Sequence, residues 1–141
     1  MHLLILNGPN LNLLGRREPE VYGREDFESF FRGLVKRFPD HRLSYFQSNH
    51  EGYLIDKLHE AGFGEGGIIF NPGGFTHTSV ALADAVRAIE APVIEVHLSN
   101  VFAREAFRHH SLIAPACVGS IAGLGLQGYA LAIQYFATLR S

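Results

Sequence analysis

At 141 residues, with 47% hydrophobic and 18% charged, the chain is long enough for one sizeable core and too short for two ordinary domains, so one domain over residues 1–141 is expected. A formal charge of -2 without a Lys/Arg run excludes a nucleic-acid or anionic-membrane partner held by electrostatics, and leaves small or neutral ones. The lone Cys117 excludes an intrachain disulfide, and no apolar run reaches the roughly 18 residues of a membrane helix; with no basic leader before the first strand pattern, a cytoplasmic, soluble protein is expected.

Along the chain, "HLLILN" opens as a near-continuous apolar strand ending at Asn7. After the polar stretch "REPEVYG", Phe27, Phe30, Phe31, Leu34, Val35 and Phe38 recur at helical spacing, with Asp26 as N-cap and a stop before Pro39. "RLSYFQ" predicts the second strand, and residues 51–62 a helix with Leu54, Ile55, Leu58 and Ala61 inward and Gly62 as its C-terminal stop. "GGIIFN", a helix over 78–90, "PVIEVH", a helical turn over 103–109, "CVGSIA" and a last helix over 126–139 complete the pattern.

Strands alternating with helices predict an α/β fold: a flavodoxin-like three-layer sandwich with a five-stranded parallel sheet in the order 2-1-3-4-5. Sites in such sheets lie beyond the carboxyl ends of the strands. That edge gathers Asn7, Asn10, Asn12, Arg17, Tyr22, Asn71, His77, His97, Ser99 and Arg108. Asn7, Gly8 and Pro9 serve equally well as plain turn formers.

In "EVH", side chains two apart share a strand face, so Glu95 can sit beside His97, fix its tautomer and favour the protonated form that donates to a leaving group. A hydrogen-bonded structural histidine is the alternative. Tyr22 shares its loop with Arg16 and Arg17, whose charge would favour a phenolate; an aromatic anchor is the other reading. "NPGGFTHTS" offers an anion-binding turn with free N–H groups near residues 76–79, but dinucleotide and P-loop motifs are absent. No Cys/His metal motif occurs, and Lys36 and Lys57 fall within helices, away from imine chemistry.

Taken together, "LILNGPNLNLLGRREPEVYG", "FQSNHEGYLID", "FNPGGFTHTSVALADA", "EVHLSN" with "AREAFRHHS", and "GLGLQGYALAI" closely resemble type II 3-dehydroquinate dehydratase over essentially the whole chain. The resemblance implies a cofactor-free, metal-free lyase, a homododecamer built as a tetramer of trimers. Its reaction would be anti elimination of water from 3-dehydroquinate to 3-dehydroshikimate through an enolate, a step of the shikimate pathway or of quinate breakdown. It assigns Tyr22 as base, Arg17 as the charge beside it, Asn12 as holder of an enolate-stabilising water, and His97 as acid oriented by Glu95.

Substrate binding falls, on the same resemblance, to Asn71 and the Leu98 and Ser99 backbone for the carboxylate. His77 and Arg108 take the ring hydroxyls, and Asp84 arrives from a neighbouring subunit. "REPEVYG" would be a mobile lid carrying base and arginine onto substrate. Asp26 stands where many members have Thr; both cap a helix. The rival class is a flavodoxin-like ligand-binding or assembly module without catalysis. Neither an FMN phosphate loop nor a receiver's acidic pair follows strand one.

Overall fold

Residues 1–16, 18, 20, 24–64 and 66–139 are described by the structure, a computed structural model. In chain order they form β1 (His2–Asn7), α1 (Phe27–Arg37), β2 (Arg42–Gln47), α2 (Glu51–Ala61), β3 (Gly66–Asn71), α3 (Val80–Ala88), β4 (Val93–His97), β5 (Gly119–Ala122) and α4 (Gln127–Thr138). All paired strands are parallel, in the order β2-β1-β3-β4-β5. The expected flavodoxin-like sheet is the one found.

Strand parity divides the core into two layers. Leu3, Ile5, Ile69, Ile94 and Val96 face α1 and α4, where Phe27, Leu34, Tyr129, Ile133 and Phe136 meet them. Leu4, Leu6, Ile68, Phe70 and Val93 face α2 and α3, against Leu54, Leu58, Leu82 and Val86. Both sheet faces are thus covered, which is why the inner strands read as unbroken apolar runs.

Several element ends differ from the sequence reading. β4 starts at Val93 rather than Pro92, and β5 at Gly119, because the Cys117 N–H closes a turn onto Ala114 O. The third helix is shorter than residues 78–90: Ser79 caps it by accepting from Leu82 N at 2.9 Å. The turn predicted over 103–109 is two short 3-10 turns, Val101–Ala103 and Ala106–His109. Asp26 does cap α1, accepting from Ser29 N at 2.8 Å, but Val35 is 44% exposed and lies off the buried stripe.

Gly62 ends α2 for a reason the sequence does not display. Its backbone is right-handed helical, φ -74°, so no left-handed cap is involved. A Cβ there would overlap the Ile89 side chain and lie 2.6 Å from Leu58 O. The glycine is there to let α2 approach the end of α3.

Candidate active site

The strand order reverses between β1 and β3, and there Asn7 and Asn71 pair in register at the two carboxyl ends. The loops leaving them interlock. A Cβ on Gly8 would lie 2.5 Å from Pro72 O, and Gly73, at φ +63°, brings its backbone within 3.0 Å of Pro9 O for a Cβ that glycine lacks. Gly8 N also donates to Asn71 O at 2.7 Å. "NGP" and "NPGG" therefore build one rigid floor, and Asn7 is wholly buried beneath it.

Over this floor lies a pocket of about 150 Å³ lined by Pro9, Asn71, Gly73, His77, His97, Leu98, Ser99, Arg104 and Arg108, among others. A neighbouring cavity shares His77, His97 and Arg108. Beyond β4, Asn100 accepts from Phe102 N and turns the chain so that both arginines return to the pocket. Arg104 donates to Ser99 Oγ at 3.2 Å, and Arg108 Nε to Glu105 at 3.3 Å with its guanidinium 4.8 Å from the Phe107 ring centre. Its own backbone N–H, then Arg108 and Arg104, hold the exposed Glu105 carboxyl below the usual range.

His97 stands at the pocket wall with Nε2 3.3 Å from Glu95 Oε2; the imidazole is 11% exposed and the carboxylate side chain 2%. Strand parity produces this pair, since Val93, Glu95 and His97 follow one another on the α2/α3 side. Ser111 Oγ donates to Glu95 Oε1 at 2.8 Å and Ser120 Oγ to Oε2 at 3.2 Å, so a buried carboxylate is compensated on both oxygens. With Nε2 facing Glu95, Nδ1 is the nitrogen left for proton exchange with a ligand.

His77 presents the opposite polarity. Its Nδ1 lies 2.8 Å from His110 O, and a carbonyl can only accept, so Nδ1 carries a proton and the neutral ring keeps Nε2 as an acceptor. Two of the N–H groups expected to bind an anion near residues 76–79 are used internally: Thr78 N and Ser79 N both donate to Phe75 O. Among the described residues, no group of three or more His, Cys, Asp or Glu is placed to hold a metal ion. No helix among them is long and apolar enough to cross a membrane.

The structure thus brings together Asn71, His77, His97, Glu95, Leu98, Ser99 and Arg108. Asn12 is exposed on the turn Leu11–Leu13 and lines an adjoining cleft with Arg16, Arg24 and Gln47; Gln47 Nε2 donates to its Oδ1 at 3.5 Å. Asp84 faces solvent on α3, with Arg87 4.0 Å away, and is not among the residues lining this chain's own pocket. Tyr22 and Arg17, and with them most of "REPEVYG", lie outside the described residues. Sequence reasoning missed Arg104, Ser111 and Ser120. Arg104 sits four residues before Arg108 in "AREAFR", which was a readable signal; the serines had none.

Comparison with known proteins agrees over the same span. The family model for dehydroquinase class II matches residues 1–137. The 3-dehydroquinate dehydratase of Bacillus pumilus is 56% identical over 140 residues, covering 97% of this chain and 95% of that protein. That of Bacillus licheniformis is 59% identical over 138 residues, covering 96% and 94%. The crystal structure of type II dehydroquinase from Butyrivibrio crossotus superposes with a TM-score of 0.93 at 45% identity, covering 97% of each chain. With the strand order, the switch-point pocket and the carboxylate-anchored histidine in place, the chain belongs to the class II dehydroquinase family.

Proposed function

We propose that the chain is a 3-dehydroquinate dehydratase, removing water from 3-dehydroquinate to give 3-dehydroshikimate in the shikimate pathway, and that the switch-point pocket is where it does so. The observation that carries the reading is His97, held at the pocket wall by the buried Glu95 in a pocket that two arginines also line. Removing hydroxide from carbon needs a proton delivered to it, and an imidazole held by a carboxylate delivers one.

In the proposed sequence Tyr22, as a phenolate favoured by Arg17, takes the proton alpha to the ketone. The C–H electron pair moves into the enolate, whose oxygen is met by a water on Asn12. When the ketone re-forms, that pair becomes the new C=C bond and the C–O bond breaks. His97 protonates the leaving oxygen, so water departs from the face opposite the base, and solvent exchange resets both groups.

Asn71 with the Leu98 and Ser99 backbone holds the substrate carboxylate. The Nε2 acceptor of His77 and the Arg108 guanidinium take the ring hydroxyls. The outward position of Asp84 on α3 is consistent with service in a neighbouring copy, in a homododecamer assembled as a tetramer of trimers in the cytoplasm. The test is the absorbance rise of the enone product when purified protein meets 3-dehydroquinate. No rise at micromolar protein overturns the activity; a fully active monomer in sedimentation overturns the shared site.

A further inference from the structure

Tyr129, the third residue of α4, is 0% exposed, and its hydroxyl lies between the side chains that end β1 and β3. It donates to Asn7 Oδ1 at 2.8 Å and accepts from Asn71 Nδ2 at 3.0 Å. Gly128 allows this depth: a Cβ there would already lie 3.2 Å from Val96 Cγ1. Phe27 packs edge-on against the ring at a centroid distance of 4.9 Å and Phe30 at 6.2 Å, so the phenol has no room to swing.

We infer that Tyr129 is a positioning residue for the dehydratase site: its hydroxyl sets which way the Asn71 carboxamide faces, and so which group the substrate meets. This rests on the proposed reading of Asn71 as a substrate ligand. A phenol has one proton, and here it is committed to Asn7; its oxygen can then only receive from Asn71. On its other side Asn71 Oδ1 accepts from Gly73 N at 3.1 Å. A flipped amide would set NH₂ against the Gly73 N–H, losing that bond outright, and its oxygen could keep the phenol only by drawing the proton away from Asn7.

One orientation therefore remains, and it leaves the second Nδ2–H as the donor that the pocket receives from Asn71. Burial first of all pushes the Tyr129 phenol far above its ordinary range, which keeps the proton in place at any working pH. Packing alone does not call for the oxygen, since phenylalanine would fill the same space. Asn71 and Tyr129 are 58 residues apart, and Asn7 and Tyr129 122, so the bridge also ties α4 to both sides of the switch point.

The test is Tyr129→Phe, which keeps the ring and removes the bridge. One lost net hydrogen bond predicts KM for 3-dehydroquinate raised about two- to tenfold with kcat changed less than about twofold. A merely structural tyrosine would lower the active fraction, so kcat would fall and KM would stay. Asn71→Ala should raise KM at least as much, and the double variant should match Asn71→Ala alone. Asn7→Ala, which keeps the phenol but removes the acceptor orienting its proton, should raise KM in the same sense and decides the matter if Tyr129→Phe does not fold. An unchanged KM in Tyr129→Phe, or additive effects in the double variant, overturns the inference while leaving the substrate role of Asn71 intact. An unchanged KM in Asn71→Ala overturns that role and the inference with it.

Discussion

Glu95→Gln isolates the charge behind the proposed acid. The residue is 1% exposed, and the amide has the shape of the carboxylate, so Ser111 can still donate to the remaining oxygen and the Ser120 hydroxyl can turn to accept from the new NH₂. What disappears is the negative charge 3.3 Å from His97 Nε2. A hydrogen bond to a charged group contributes about 1.5–3 kcal/mol, which at about 1.4 kcal/mol per decade converts to a kcat lower by about 10- to 150-fold. KM should change little, because Glu95 acts through His97 and is assigned no contact with the substrate.

The assay is enone absorbance at saturating 3-dehydroquinate, with a thermal melt on the same samples. Ser120→Ala serves as control: it removes one hydroxyl donor to the same Oε2 and keeps the charge, so kcat should fall less than in Glu95→Gln. A Glu95→Gln enzyme within about twofold of wild type, or one less impaired than Ser120→Ala, would show that the carboxylate does not support the acid.

Tyr22→Phe and Arg17→Ala should each lower kcat by at least about a hundredfold at unchanged Tm, as loss of a general base or of its supporting charge implies; near-normal turnover in either means the roles are misassigned. Burial, and secondarily the Glu95 charge, pushes the Cys117 thiol up to about 12, so its thiolate fraction should grow tenfold per pH unit until then. Iodoacetamide at pH 8 should label the native protein about a thousandfold more slowly than the denatured one, where an ordinary thiol titrates near 8.5, read by intact mass; equal rates contradict this. Gly62→Ala should cost about 1–3 kcal/mol by overpacking against Ile89, seen as a lower Tm, although alanine is the better helix former; a raised Tm would mean that Ile89 yields freely.

The sheet was legible because each inner strand is apolar on both faces and each connection carries a helical stripe, and the topology rules leave few orders for that pattern. The Glu95 and His97 pair was legible because strand parity is independent of context. Features set by contact between distant segments were not. Gly62 reads as a cap, but Ile89 decides it. Cys117 and Val118 look like strand, yet the turn at Ala114 claims the Cys117 N–H. The N–H groups of Thr78 and Ser79 looked free until Phe75 O took them. Tyr129 looked like one more apolar helix position, since nothing local announces a partner 122 residues away.

The two-residue step of β4 also binds folding to chemistry. Val93, Glu95 and His97 share one side of the sheet, while Ile94 is buried at 4% and Val96 at 0% exposure on the other. A slip of one residue would exchange the sides, thrusting a carboxylate and an imidazole among Tyr129, Ile133 and Phe136 and leaving Ile94 and Val96 facing Ser111 and Ser120. One-residue register errors in this strand would therefore remove themselves: a chain that mispairs β4 in this way would lose its core together with its acid.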